Sequence, residues 1–107
     1  MNTDPSQRPS YRYIKFKIHS ESEIKFEELL EAYWDTIPEF VGLKDFSDAD
    51  AWLIKNKFNQ EEQEAVIRVK REYEVDMKAA LTLLRNFDGT RGFAEVERVS
   101  GAISGVS

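Results

Sequence analysis

From Tyr11 to Ile18 the chain alternates. Ile14, Phe16 and Ile18 fall on one side, after Arg12 at the strand start, and Tyr11, Tyr13, Lys15 and Lys17 fall on the other. A period of two is that of a strand with one face buried. A polar break follows, with Ser22 as the expected N-cap and Glu21 and Glu23 near the coming helix start. The period then changes. Phe26, Leu29, Leu30, Tyr33 and Ile37 take the spacing of an amphipathic helix, with Glu27, Glu28, Glu31 and Asp35 outside and Trp34 at the margin of the apolar stripe. Pro38 is expected to end or kink this helix.

Residues 39–50 give the weakest pattern. Gly42 permits a left-handed turn, and Ser47 to Asp50 reads as a loop or short capped turn. Ala51 to Phe58 is expected as a second strand, with Trp52, Ile54 and Phe58 inward and Lys55 and Lys57 outward; this forces Asn56 onto the inner side. The hydrophilic run 59–64 turns the chain into a third strand, Ala65 to Arg71. Its oily side is Ala65, Ile67 and Val69, and its other side is Val66, Arg68 and Lys70. A second helix is expected over Glu74 to Phe87, with Gly89 as its left-handed cap. Met77, Ala79, Ala80, Leu81, Leu83, Leu84 and Phe87 would cover more than half of its circumference, against about 100° for a helix packed on a sheet. That breadth calls for contact with the first helix or with a partner, and Trp34, Met77, Leu81 and Leu84 are the residues expected to provide it. Phe93 to Val99 alternates as a fourth strand.

The order is β-α-β-β-α-β, the split βαβ of ferredoxin-like and RRM-like folds. The expected fold is α+β: a two-layer sandwich of a four-stranded antiparallel sheet with two helices on one face. Residues 1–10 are expected as a flexible lead-in, 11–103 as a single domain, and 104–107 as a frayed tail.

Charge changes the picture more than composition does. The chain has 107 residues, 33% of them charged, and a net charge of −5. An acidic balance by itself argues against nucleic acid. Yet the three strand candidates 11–18, 51–58 and 65–71 hold Arg12, Lys15, Lys17, Lys55, Lys57, Arg68, Lys70 and Arg71 and no acid at all. A local patch, not the global sum, governs binding. Tyr13, Lys15, Lys17, Lys55, Lys57, Arg68 and Lys70 therefore form a candidate RNA-binding face, in which cations neutralise phosphates. The plainer reading is a solvated outer sheet face, where Lys and Arg are routine. The paired aromatic rings of an RRM are missing, because Arg68 and Lys70 stand where such rings would be wanted; contact with RNA backbone is the better version of the RNA reading.

Little else carries chemistry. There are no cysteines, hence no disulfides and no thiolate chemistry. No apolar run reaches the roughly 18 residues of a membrane helix, and a cytoplasmic location is expected. Glu21, Glu23, Glu27, Glu28 and Glu31 have no His or Asp nearby to complete a metal shell and read as a solvated helix face. His19, the only histidine, has no nucleophile at a recognisable spacing. Gly89, Gly92 and Gly101 form no phosphate-cradling pattern. No catalytic residue, bound metal or cofactor is expected on the chain.

Four stretches resemble a family. They are Arg12-Tyr13-Ile14-Lys15-Phe16-Lys17-Ile18, Val66-Ile67-Arg68-Val69, the run Met77 to Leu84, and Val99-Ser100-Gly101-Ala102-Ile103. In this order they are similar to ribonuclease P protein component 2 of archaea, a Pop-type subunit with relatives in eukaryotic ribonuclease P. The resemblance spans about Tyr11 to Ile103. It implies a non-catalytic subunit of the ribonucleoprotein that removes the 5′ leader of precursor tRNA. The RNA would do the cleavage with Mg2+ that it holds itself. The resemblance also implies pairing with a TIM-barrel subunit, component 3, often as two copies of each, and only indirect contact with precursor tRNA. Ala102 departs from the family's threonine, the acidic balance departs from its frequently basic members, and 42–50 matches nothing in it. The competing readings are an RRM-like protein–protein adaptor that shares only the fold and a general RNA-binding module without a ribonuclease P role.

Overall fold

The computed structural model describes residues 10–106. The lead-in expected over 1–10 lies almost wholly outside the described residues. The elements run β1 (Tyr11–Ser20), α1 (Phe26–Val41), α2 (Leu43–Ala49), β2 (Trp52–Leu53), β3 (Glu64–Lys70), α3 (Glu74–Leu81), β4 (Asn86–Phe87) and β5 (Thr90–Ser100). The sheet is antiparallel, in the order β2-β3-β1-β5-β4. The run β2-β3-β1-β5 is the expected ferredoxin-like set, with β4 added at one edge. Among the described residues, the five strands and three helices exceed the expected four and two by a short hairpin strand and a short helix.

β1 lies at the centre because it pairs along both edges. Tyr13 faces Arg68, Lys15 faces Val66 and Lys17 faces Glu64 across β3. Across β5, Tyr13 faces Ser100, Lys15 faces Arg98, Lys17 faces Glu95 and His19 faces Phe93. The alternation that marked β1 sends Ile14, Phe16 and Ile18 inward, where they meet Ile67, Val69, Leu29, Tyr33, Ile37, Met77, Leu81, Leu84 and Phe87 in one buried core. Each large side chain buried there contributes about 1.5–3 kcal/mol.

Register shifts between Lys15 and Phe16, so β5 carries a bulge in which Glu97 is the extra residue. A bulge exchanges the faces of the residues on its two sides. Ala94 and Val96 face the core before it and Val99 after it, opposite Ile14. A strict alternation from Phe93 would have put Val99 outside.

Several expected elements change. α1 continues through Pro38 to Val41. Its cap is Lys25, not Ser22, because the Glu28 carboxylate reaches back to accept the Lys25 backbone N–H at 2.8 Å. The second strand is two residues long, and Lys55–Lys57 is a 3-10 turn. Trp52, expected inward, is 60% exposed. The second helix, α3, stops at Leu81. Leu84 and Phe87 reach the core from the linker and from β4, and Leu83 is exposed. Asp88 and Gly89, at φ 52° and 96°, form the two-residue turn of a β-hairpin between β4 and β5, so Gly89 caps a hairpin and not a helix. Ile103–Val106 form a 3-10 turn in which Val106 is buried, so 104–106 is folded where a frayed tail is expected from the sequence.

Candidate nucleic-acid interface

The outer sheet face is built by the odd-numbered residues of β1 and the even-numbered residues of β3. It brings together Tyr13, Lys15, Lys17, Arg68 and Lys70 of the predicted set. Lys57 joins it from the side, lining a cleft with Lys15, Glu64 and Val66. Lys55 does not belong to it; its ammonium lies 5.9 Å from the centre of the Phe26 ring, against the start of α1. The misplacement follows from reading 51–58 as one strand.

The face is not plainly positive. Lys15 Nζ lies 3.4 Å from Glu64 Oε1, and Arg68 Nη2 lies 3.5 Å from Asp50 Oδ2. Glu95 stands opposite Lys17, and its Oε1 lies 2.9 Å from His19 Nε2. Glu97, on the bulge, has its carboxyl pushed up first by a hydrogen bond shared with Glu64, then by partial burial and by that neighbour's charge; Lys15 and Lys17 oppose the shift. Lys15, Lys17, Arg68, Lys70 and Arg98 thus meet Asp50, Glu64, Glu95 and Glu97 on one surface. Asp50, Glu95 and Glu97 enter from segments outside the three basic strands, and Glu64 is the first residue of β3.

One end of the face is a fixed constellation around Asp50, which sits at φ 49° after α2. Its carboxylate accepts the Tyr11 hydroxyl at 2.7 Å and the Trp52 indole N–H at 3.0 Å. The Arg68 guanidinium lies 4.4 Å from the centre of the Tyr11 ring. Those hydrogen bonds, then the Arg68 and Lys70 charges, hold the Asp50 carboxyl below its ordinary range, and the same carboxylate raises the Tyr11 phenol. Trp52 pairs with Arg68 across β2 and β3, which brings an exposed, oriented indole beside the cations. The sequence reading places Tyr11 on this face, although not among the RNA contacts, and gives Asp50 and Trp52 no role there. Asp50 and Trp52 flank a single residue, a spacing that offered the only sequence signal.

The C-terminal turn covers part of the face. Arg98 Nη1 donates to the Gly105 carbonyl at 3.3 Å, and the Ser100 hydroxyl oxygen accepts the Ala102 N–H at 3.1 Å. A Cβ on Gly105 would collide with the Ser100 side chain, so the turn needs glycine there. Val66, expected in the basic row, is 2% exposed and lines the same cleft as the equally buried Val106.

Of the residues expected to meet a protein partner, Met77, Leu81 and Leu84 are buried in the chain's own core. Trp34 remains 56% exposed, braced edge-on against Phe46 at 5.3 Å and Tyr33 at 5.6 Å. Met77, Ala80, Leu81, Leu84 and Phe87 of the wide apolar arc are consumed internally, the last two because the segment after Leu81 is not helical, whereas Ala79 and Leu83 are exposed. Among the described residues no three His, Cys, Asp or Glu side chains stand together as a metal-binding group, and no helix is long and apolar enough to cross a membrane.

The described residues form a two-layer α+β domain that carries a mixed-charge, tryptophan-flanked sheet face. The chain belongs to the Rpp14/Pop5 family, whose pattern it matches over residues 12–107. It is 34% identical over 99 residues to a protein named ribonuclease P protein component 2 from Pyrococcus furiosus, covering 92% of this chain and 81% of that one. The protein of the same name from Methanothermobacter thermautotrophicus is 30% identical over 103 residues, covering 92% and 83%. A chain in the cryo-EM structure of yeast ribonuclease MRP superposes with a TM-score of 0.56 at 11% identity, covering 90% of this chain and 77% of that one. At that identity the likeness is one of fold.

Proposed function

We infer that this chain is a protein subunit of ribonuclease P, the ribonucleoprotein that removes the 5′ leader of precursor tRNA. The observation that carries the reading is the family match over residues 12–107, together with relatives named ribonuclease P protein component 2 that align with nine-tenths of the chain. In this reading the catalytic RNA cleaves, with Mg2+ that it holds, and the protein supports the RNA's active shape.

The outer face is the RNA contact, through Lys15, Lys17, Lys70 and, at the pinned end, Tyr13 and Arg68, with Lys57 at the rim. Charge pairing on that face predicts modest affinity for the isolated chain, because a phosphate that reaches Lys15 or Arg68 must displace Glu64 or Asp50 before it is bound. Assembly with a second protein then supplies the rest. The helical layer is the side for that protein, a TIM-barrel component 3. There Trp34 is held by Phe46, and Phe40 and Leu43 are exposed at the junction of α1 and α2. Two copies of each protein, and work in the cytoplasm, complete the proposal.

The test is reconstitution of this chain with a matched component 3 and a matched ribonuclease P RNA, assayed for precursor-tRNA cleavage as Mg2+ is lowered. Cleavage restored at Mg2+ too low for the RNA alone is the expected result. Binding to component 3 with no change in cleavage would replace the reading with that of an adaptor.

A further inference from the structure

At the far end of β1, about 20 Å along the strand from Tyr13, the structure opens a cleft of about 860 Å³. His19, Arg85, Arg91, Gly92 and Phe93 line it, with Glu21 at its edge. Three features give it the character of a built site. Phe93 is 50% exposed and lies on the His19 imidazole, ring centres 4.8 Å apart and planes 20° from parallel. The imidazole is itself held by Glu95 at 2.9 Å, so the Phe93 ring rests on a fixed support. Gly92 lets the strands close up at this point, since a Cβ there would lie 2.5 Å from the His19 carbonyl oxygen, and its N–H donates to the Arg85 carbonyl at 3.0 Å.

The cations differ in how firmly they are engaged. Arg85 donates from Nη1 to the carbonyls of Thr82 and Leu84, the latter at 2.9 Å, which fixes the guanidinium at the end of α3. The Arg91 side chain is 82% exposed and lies 4.0 Å from that of Glu21, 69% exposed, an ion pair worth little in water. An apolar ring with an accessible surface and two guanidiniums in one concavity suit a ligand that is planar and anionic. A base pair inside a helix offers no free base face, whereas an unpaired nucleotide offers a base to stack and a phosphate to pair.

We propose that this cleft binds an unpaired nucleotide of RNA, with the base stacked on Phe93 and the phosphate held by Arg91 and Arg85. The source of that nucleotide rests on the ribonuclease P reading; the chemistry of the cleft does not.

The experiment uses the full chain, amide chemical shifts and fluorescence anisotropy, with three probes: a single-stranded oligoadenosine pentamer, a blunt RNA duplex, and AMP. The pentamer is expected to shift the Gly92, Phe93 and Ala94 amides. Phe93→Ala is expected to weaken it about tenfold, with Phe93→Tyr close to wild type and Arg91→Glu weakened at low salt. An unchanged circular dichroism spectrum and melting temperature for Phe93→Ala separate lost stacking from lost folding. The proposal is overturned if the folded Phe93→Ala variant binds the pentamer as wild type does, or if the duplex shifts the same amides equally. It is also overturned if AMP binds as tightly as the pentamer, which would make this a mononucleotide site, or if only component 3 shifts these amides, which would make it a protein contact. Absent pentamer binding beside restored cleavage in the reconstitution removes this inference alone; pentamer binding beside failed reconstitution removes the ribonuclease P reading and leaves the cleft.

Discussion

The two faces of β1 are held in different ways. Inward, Ile14, Phe16 and Ile18 meet apolar side chains from every element of the helical layer, and any well-shaped hydrocarbon serves as a neighbour. Outward, Lys15, Lys17, Tyr11 and His19 meet particular partners: Glu64, Glu95 and Glu97, Asp50, and Phe93. The inner face is defined by its own periodicity. The electrostatics of the outer face are defined by what distant segments bring to it. A strand's own charge therefore says little about the potential it presents.

The largest break of this contrast is on the inner side. Leu84→Asp puts an unpaired carboxylate where Leu84 is wholly buried, at about 3–5 kcal/mol, comparable with the total stability of a domain this size. No cooperative urea transition is expected. A wild-type transition would remove Leu84 from the core.

On the outer side the effects are smaller and depend on pH. Asp50→Asn keeps the shape and tolerates the left-handed backbone but removes the charge that accepts from Tyr11 and Trp52. A loss of about 0.5–1 kcal/mol at pH 7 is expected after solvent screening. The Asp50 carboxyl lies below its ordinary value when folded, so its contribution is present above the ordinary carboxylate range and disappears as pH falls through the lowered value. Wild type and variant should converge in urea melts carried well into acid; a constant difference down to the lowest pH would mean that the charge plays no part.

Glu97→Gln is the smallest change and has the opposite sign. Its carboxyl is raised in the fold, so the contribution is favourable below the ordinary carboxylate range and is lost as pH rises through the raised value. Removing the charge should stabilise the chain at pH 7 by a few tenths of a kcal/mol, after screening, and tighten RNA binding at low salt. A destabilised or weaker-binding variant would contradict the like-charge pairing of Glu64 and Glu97.

Legibility followed the same division. β1, β3 and α1 were readable because one face of each is buried against the core and its period survives in the sequence. The sequence extends α3 past its end because Leu84 and Phe87 keep helical spacing from Ala80 and Leu83 while belonging to a linker and a hairpin; Asp88-Gly89, which follows a helical pattern as a cap would, is a hairpin turn. β2 was overextended because Asn56, awkward on an inner face, lies in a 3-10 turn. Five of the seven predicted RNA residues share one face, Lys57 flanks it and Lys55 leaves it. The acids that offset them could not be read from the strands, since Asp50 and Glu97 reach the face through a left-handed residue and a bulge.

The central claim is that this face contacts RNA within ribonuclease P. The most direct measurement is the rate of precursor-tRNA cleavage at limiting Mg2+ by complexes reconstituted with wild type or with Lys17→Glu and Lys70→Glu together. These two act on Glu97 and Asp50 through space, so reversing them leaves the Tyr11–Asp50–Trp52 constellation in place. The account predicts a folded variant, about tenfold or more lost in cleavage at low Mg2+, and a salt slope of RNA affinity shallower by about two. A folded double variant that cleaves as wild type does would contradict it.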